Sequence, residues 1–346
     1  MKKVFLILIF VIFTVGCSNG TSDQIETGRE LMQESKYSDA IVIFSDVLEN
    51  HPEQIQARLN RGNSYYALSQ FESAAADFEF VLGIDPENTD AYNGLGSVEK
   101  AQGNLDQALS NLDQAIEHDP EHAIAYYNRG TILAQTGQIE AALQDYNQSL
   151  DIDPNYDRVY FNRGLLYVST GNYQDAIADL SVSIKVDDQN AKAFLNRGIA
   201  YAQIEQYTMA IDDLTQAIEL DPDLREAFVQ RAVAYTQTGN LIAAIEDAKQ
   251  VVNLDPGNEN SYYLLGNTYF YSQNFQQAIL AYNQALGLND GKAEVYFNRG
   301  MAYLQLSQNE DAKLDLQRYL ELAPNAENKE TVLELIDGIE QLELEE

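Results

Sequence analysis

The stretch AKAFLNRGIAYAQIEQYTMAIDDLTQAIELDPDL, residues 191–224, decides the architecture. Phe194, Arg197, Gly198 and Tyr201 stand at i, i+3, i+4 and i+7, the spacing of one helix face. Ala210, Leu214 and Ala217 repeat that spacing further on, and Asp221-Pro222 ends the run. Proline has no N–H to donate and disfavours helix in the residue before it, so the pattern predicts two short helices and a stop.

Moving the frame by 34 residues finds the stretch again. Nine copies begin at Thr21, Ile55, Thr89, Ala123, Asp157, Ala191, Arg225, Glu259 and Ala293. All seven prolines (Pro52, Pro86, Pro120, Pro154, Pro222, Pro256, Pro324) fall at unit position 32, and Asp188 and Asp290 fill the two remaining slots. Unit position 20 is alanine in every copy, and position 8 is glycine in all but one, where Ala232 stands. Small residues at both places allow two helices to cross closely. A strict period makes one elongated array whose units touch only their neighbours, so chain length is a poor guide to domain number.

These residues resemble the tetratricopeptide repeat (TPR): a ring at unit position 4, Leu-Gly at 7 and 8, Tyr at 11, Ala at 20, a bulky residue at 24 and Pro at 32. Most copies hold Arg where the family has Leu. The first copy (Gln24, Thr27, Leu31), the second (Arg58 at the ring) and the third (Glu99 at the Tyr) depart from the pattern. The resemblance implies an all-α, right-handed superhelical solenoid of nine 34-residue helix-turn-helix repeats. They are expected at 21–54, 55–88, 89–122, 123–156, 157–190, 191–224, 225–258, 259–292 and 293–326. Beyond them, Val332, Leu333, Leu335, Ile336, Ile339 and Leu342 lie at helical spacing among acids, so 327–346 reads as a capping helix and acidic tail.

At the other end, Lys2 and Lys3 precede an apolar run from Val4 to Phe13, then Thr14-Val15-Gly16-Cys17. About 20 apolar residues are needed to span a bilayer, so this run is a secretory signal rather than an anchor. Small residues before a lone cysteine resemble a bacterial lipobox. The resemblance implies that 1–16 is a signal peptide, that Cys17 is lipidated, and that 17–20 is a short tether. The expected location is extracytoplasmic: the outer membrane facing the periplasm in a two-membrane cell, otherwise the outer face of the cytoplasmic membrane. With a single cysteine the chain has no internal disulfide to form.

With 54 acidic against 21 basic residues the net charge is −33, which argues against a nucleic-acid partner. His51, His118 and His122 do not share one helix, because Pro120 separates the last two, so no metal site is expected. Phosphate loops, nucleophile elbows and cysteine nucleophiles are absent, and the sequence points to no enzyme and no cofactor.

Comparison of the copies with one another is more informative. Where position 7 is Arg (Arg61, Arg129, Arg163, Arg197, Arg231, Arg299), position 23 of the same copy is Asp (Asp77, Asp145, Asp179, Asp213, Asp247, Asp315). Where position 7 is Thr27, Leu95 or Leu265, position 23 is Ile43, Asn111 or Ala281. The covariation predicts structural ion pairs between the two helices of a repeat; an arginine row gripping an anion is the alternative.

On the wheel, positions 4, 7, 8 and 11 form one face of the first helix and 2, 6, 9 and 13 the other, which lines the concave groove in the family. Position 6 holds Asn60, Asn128, Asn162, Asn196, Gln230 and Asn298. A carboxamide can donate to and accept from a peptide backbone; bridging between neighbouring helices would use the same atoms. The family's clamp for C-terminal carboxylates needs Lys at position 5, where this chain has Ile25, Leu59, Asn93, Tyr127, Phe161, Leu195, Val229, Tyr263 and Phe297. These residues, with Tyr66, Phe270 and Tyr271, either form apolar pockets or pack helix on helix.

The expected function is a membrane-anchored interaction scaffold or assembly adaptor that binds proteins or peptides in its groove. Binding of an envelope polymer or glycan and a cytosolic co-chaperone-like role are the alternatives. Replacing Cys17 by Ser should abolish incorporation of a radiolabelled fatty acid and release the protein from the membrane fraction; wild-type protein that takes up no label would refute the lipobox.

Overall fold

The computed structural model describes residues 20–345, with side chains through 341; the apolar leader, Cys17 and the side chain of Leu342 lie outside the described residues. The sequence copies become pairs of helices. They are α1 (Gly20–Gln33) and α2 (Tyr37–Asn50), α3 (Ile55–Ala67) and α4 (Phe71–Ile84), α5 (Thr89–Ala101) and α6 (Leu105–His118), α7 (Ala123–Gln135) and α8 (Ile139–Ile152). There follow α9 (Asp157–Ser169) and α10 (Tyr173–Val186), α11 (Ala191–Gln203) and α12 (Tyr207–Leu220), α13 (Arg225–Gln237) and α14 (Leu241–Leu254). The last are α15 (Glu259–Tyr271) and α16 (Phe275–Leu288), α17 (Ala293–Gln305) and α18 (Asn309–Leu322), then α19 (Lys329–Glu345). No strand occurs among the described residues, and no helix among them is long and apolar enough to cross a membrane. The chain forms two compact units, one ending at Val159 and one beginning at Tyr160.

The helix ends are written locally. Before the first helix of a repeat, Asn88 Oδ1 accepts from the Ala91 N–H at 3.1 Å, and His122 Nδ1 accepts from the Ala125 N–H at 3.0 Å. Such caps satisfy amide donors that have no partner within the helix. The turn inside a repeat places unit position 15 in the left-handed region in every copy. Gly103, Gly137, Gly171 and Gly239 take it without strain, whereas Ser35, Ser69, Glu205, Gln273 and Ser307 take it with φ of 58–61°. Between repeats, the residue before the proline slot makes an Asx turn: Asp119 Oδ1 and Asp153 Oδ1 each accept the N–H two residues on, at 3.0 Å.

Packing within a repeat turns on position 24. Phe44, Phe78, Leu112, Tyr146, Leu180, Leu214, Tyr282 and Leu316 are all buried there, each reaching toward position 8. A Cβ on Gly28 would lie 2.4 Å from Phe44, one on Gly62 2.7 Å from Phe78, and one on Gly266 2.4 Å from Tyr282. The exception explains itself: Ala232, the one residue with a Cβ at position 8, faces Ala248, the one alanine at position 24, and both are fully buried. The nine position-20 alanines are fully buried as well. The sequence reading missed two further buried columns, at positions 3 (Ala57, Ala91, Ala125, Ala193) and 10 (Val98, Ile132, Ala200), and marked the position-27 column (Val47, Val81, Ala115, Val251) only at Ala217. Alanine fills most of position 3, so hydropathy alone does not mark it.

At the C-terminal end, Val332, Ile336 and Ile339 of α19 pack on Ala312, Leu316 and Tyr319 of the last repeat, with Leu335 beside them. Leu333 points the other way and is exposed.

Gly164→Ala should destabilise, because its Cβ would lie 2.8 Å from Leu180 Cγ; overpacking costs about 1–3 kcal/mol against a helix-propensity gain of about 1. In a Leu180→Ala background the clash is gone and the same change should stabilise. Urea denaturation of the four proteins reads the coupling, and additive effects would refute the contact's role.

Candidate functional site

The first helix of each repeat carries two polar columns, and they do different work. In the six Arg repeats, Nε and Nη2 donate to the two oxygens of the position-23 carboxylate at 2.7–2.8 Å. This forked arrangement is the strong form of an ion pair. The aspartate side chains are only 4–9% exposed and the arginines 15–24%. Rings at positions 4 and 11 flank the guanidinium, as Phe194 and Tyr201 do for Arg197 at 5.7 and 6.0 Å.

A third contact was not legible within one copy. Nη1 crosses to position 25 of the preceding repeat: Arg61 to Ser45 Oγ at 3.1 Å, Arg129 to Asp113 at 2.7 Å, Arg197 to Ser181 Oγ and Arg231 to Thr215 Oγ1 at 3.0 Å. Each such arginine therefore ties two repeats together. The hydrogen bond to Asp145, joined by Asp113, holds the Arg129 guanidinium above its ordinary pKa despite burial. Both edges of these guanidiniums are engaged inside the fold, which leaves no fork for a ligand anion. The deviating repeats substitute other contacts. Arg58, at the ring position of the second repeat, also reaches Asp77 at 3.2 Å and lies 3.4 Å over Phe80. In the eighth repeat, which has Leu265 at position 7, Lys249 of the preceding repeat sits 6.0 Å over Tyr269.

The position-6 column is less uniform. In the unit ending at Val159, Asn128 Nδ2 donates to Asn93 Oδ1 of the preceding repeat at 2.8 Å. Asn60 is buried, accepts from Gln56 at 3.3 Å and has an orphaned Nδ2, so it presents nothing to a groove ligand. Gly94 interrupts the column because the Phe78 ring comes within 2.6 Å of where its Cβ would be. In the unit beginning at Tyr160, Asn298 Nδ2 donates to Tyr263 Oη and Asn267 Oδ1, both at 3.0 Å. Asn196 donates to its own helix at Lys192 O (2.8 Å), Gln230 donates to Glu226 (2.6 Å), and half-buried Asn162 is also partnered. Asn128, Asn196 and Gln230 thus each donate one amide N–H internally and Asn298 two, while the carbonyl oxygens of Asn128, Asn196 and Asn298 accept nothing among the described residues.

Position 5 packs helix on helix. Tyr127 lies 5.0 Å from Tyr156 and 6.2 Å from Tyr146, Tyr263 6.2 Å from Tyr282, and Phe297 5.2 Å from Tyr319. Burial pushes Tyr156 up to about 12. Tyr66 and Phe270 meet Phe71 and Phe275 at repeat turns in tilted and edge-on contacts, whereas Tyr271 is 62% exposed. His122, besides capping α7, lies 3.2 Å from Asp90, and this hydrogen bond holds Asp90 below the usual carboxylate range. No group of three or more His, Cys, Asp or Glu suited to a metal occurs among the described residues. Cys17 lies outside them.

Helix pairs of this length, packed through small residues and repeated at 34 residues, define a tetratricopeptide-repeat array, and the chain belongs to the tetratricopeptide-repeat family. That family matches residues 25–89, 59–105, 93–157, 145–178, 191–224, 226–258 and 293–326, and its TPR-repeat description also matches 164–205 and 266–307. Among solved structures, the Cut9–Hcn1 hetero-tetramer of the APC/C shares the fold at 19% identity and a TM-score of 0.51, over 88% of this chain and 59% of that one. YrrB, a TPR protein with an unusual peptide-binding site, is 26% identical at a TM-score of 0.49, over 57% of this chain and 97% of its own. A tetratricopeptide repeat protein from Parabacteroides merdae is 22% identical at 0.48, over 72% and 98%. No curated protein matches the chain. The family is typically non-enzymatic and generally binds protein or peptide partners.

Asn298→Ala should cost about 1–3 kcal/mol, because it strips Asn267 and Tyr263 of a shared donor. Asn196→Ala, which gives up only a bond along its own helix, should stay within about 0.5 kcal/mol. Thermal melts compare the two; equal losses would refute the distinction between bridging and free members.

Proposed function

We propose that the protein is a lipid-anchored, extracytoplasmic scaffold that holds segments of partner proteins against the 2, 6, 9 and 13 face of its first helices. The observation that carries the reading is the set of unpartnered carboxamide oxygens on that face, at Asn196 and Asn298 in one unit and Asn128 in the other. With at least one N–H of each amide donated internally, these oxygens are oriented as acceptors, matched to the N–H groups of an extended backbone. Each such bond contributes about 0.5–1.5 kcal/mol, so several are needed for useful affinity. The arginine column does not compete for this role, since its charges are closed within the fold. Placement outside the cytoplasm rests on Lys2, Lys3, the apolar run and Cys17, and anchoring there would keep a short tether, residues 17–20, between lipid and first repeat.

Placing a photo-crosslinking benzoylphenylalanine at Gln203 or Gln237, exposed at position 13, should capture partner protein in intact cells. The same group at Asp212 or Glu246, exposed on the second helices, should not. Capture confined to the second-helix sites would overturn the groove reading.

A further inference from the structure

In the unit beginning at Tyr160, a cavity of about 180 Å³ opens between α13 and α15, lined by Val233, Thr236, Gln237, Leu264, Asn267, Thr268 and Tyr271. None of these side chains is charged. Val233 and Tyr271 stand exposed at 42% and 62%, so the rim is apolar as well as the wall. The two threonine hydroxyls donate to carbonyls of their own helices, Thr236 to Ala232 at 2.8 Å and Thr268 to Leu264 at 2.6 Å, and present mostly their methyls.

One polar group is fixed in place. Asn267 Oδ1 accepts from Tyr282 Oη at 2.8 Å and from Asn298 Nδ2 at 3.0 Å, which sets the orientation of the amide. Its NH2 lies against Tyr263, where it works against the rise in pKa that burial gives that phenol. An apolar cavity of about 150 Å³ holds a benzene ring, so this one suits a Phe-sized or Leu-sized side chain.

Charge selects further. The cavity lies at the C-terminal halves of α13 and α15, where backbone carbonyls concentrate partial negative charge, and neither helix has a basic residue in its last turn. The whole chain carries −33. Both features favour a partner segment with lysine or arginine beside the inserted residue.

We infer that this cavity is an anchor site for an extended basic segment of a partner protein, taking one aromatic or branched aliphatic side chain. The inference deepens the groove reading and rests on it.

The test uses methyl-labelled Val, Leu and Thr in the full chain and three blocked peptides: Lys-Ser-Gly-Phe-Gly-Ser-Lys, its Phe-to-Ala form and its Lys-to-Glu form. The first should shift the methyls of Val233, Leu264, Thr236 and Thr268. The Ala form should bind roughly 10- to 100-fold more weakly, as expected for losing a buried ring, and the Glu form more weakly than the Lys form, with the difference shrinking at high salt. Val233→Trp, at the exposed rim, should fill the site and abolish the shifts. Shifts that arise elsewhere, or that survive Val233→Trp, would overturn the anchor site. Crosslinks at Gln203, which does not line the cavity, would still stand in that case, and their loss alone would overturn the groove reading instead.

Discussion

The close crossing of two helices at a glycine is the constraint from which the rest follows. A side chain at unit position 24 occupies the space a Cβ at position 8 would need, and the alanine at position 20 admits the same approach from the other side. Close-packed interiors feel a single methyl group. The only repeat that adds one, at Ala232, takes several carbons away at Ala248. Size is therefore conserved across the pair rather than at either position. Because every repeat solves this problem within itself, neighbouring repeats can be joined through other surfaces.

Those other surfaces are partly polar. The six arginines bind an aspartate of their own repeat and, where the contact to the preceding repeat is described, a hydroxyl, amide or carboxylate there. The guanidinium fork has enough donors for both. Desolvating a charge is costly unless its partners are complete. The rings at positions 4 and 11 exclude water from the pair while leaving the arginine edge partly open. A leucine at position 7 would need none of this, and in the third and eighth repeats Leu95 and Leu265 stand opposite uncharged Asn111 and Ala281.

Much of this was legible in the sequence. Period, prolines, alanines and glycines predict the helix pairs, and the copies covary so plainly that Arg163 with Asp179 could be named without coordinates. The link from Arg197 to Ser181 could not, because in the repeats that precede an arginine repeat position 25 varies among Ser, Asp, Asn and Thr, which share only the capacity to accept. The carboxamide column was harder to read. Near-identical residues at position 6 left groove binding and helix bridging both open, and the column divides: Asn298 bridges helices, Asn196 bonds to its own helix and Asn60 is buried. Their surroundings differ at positions 5 and 9, where Tyr263, Asn267 and Asn93 supply or withhold a partner. Nor does any motif mark the cavity by α13 and α15, since it arises from what Val233 and Leu264 leave unfilled.

The turn within each repeat has one more implication. Glycine pays in chain entropy to sit in the left-handed region, and serine, glutamine or glutamate in steric strain of about 1 kcal/mol or more. The glycines are at Gly103, Gly137, Gly171 and Gly239, in the third, fourth, fifth and seventh repeats; Glu205 breaks that run in the sixth, and the two outermost repeats at each end carry Ser35, Ser69, Gln273 and Ser307. In an array whose stability is a sum of local terms, strain gathered mainly in the end repeats loosens them before most of the middle. The terminal repeats then behave as softer material than the centre, able to give under load without releasing the whole.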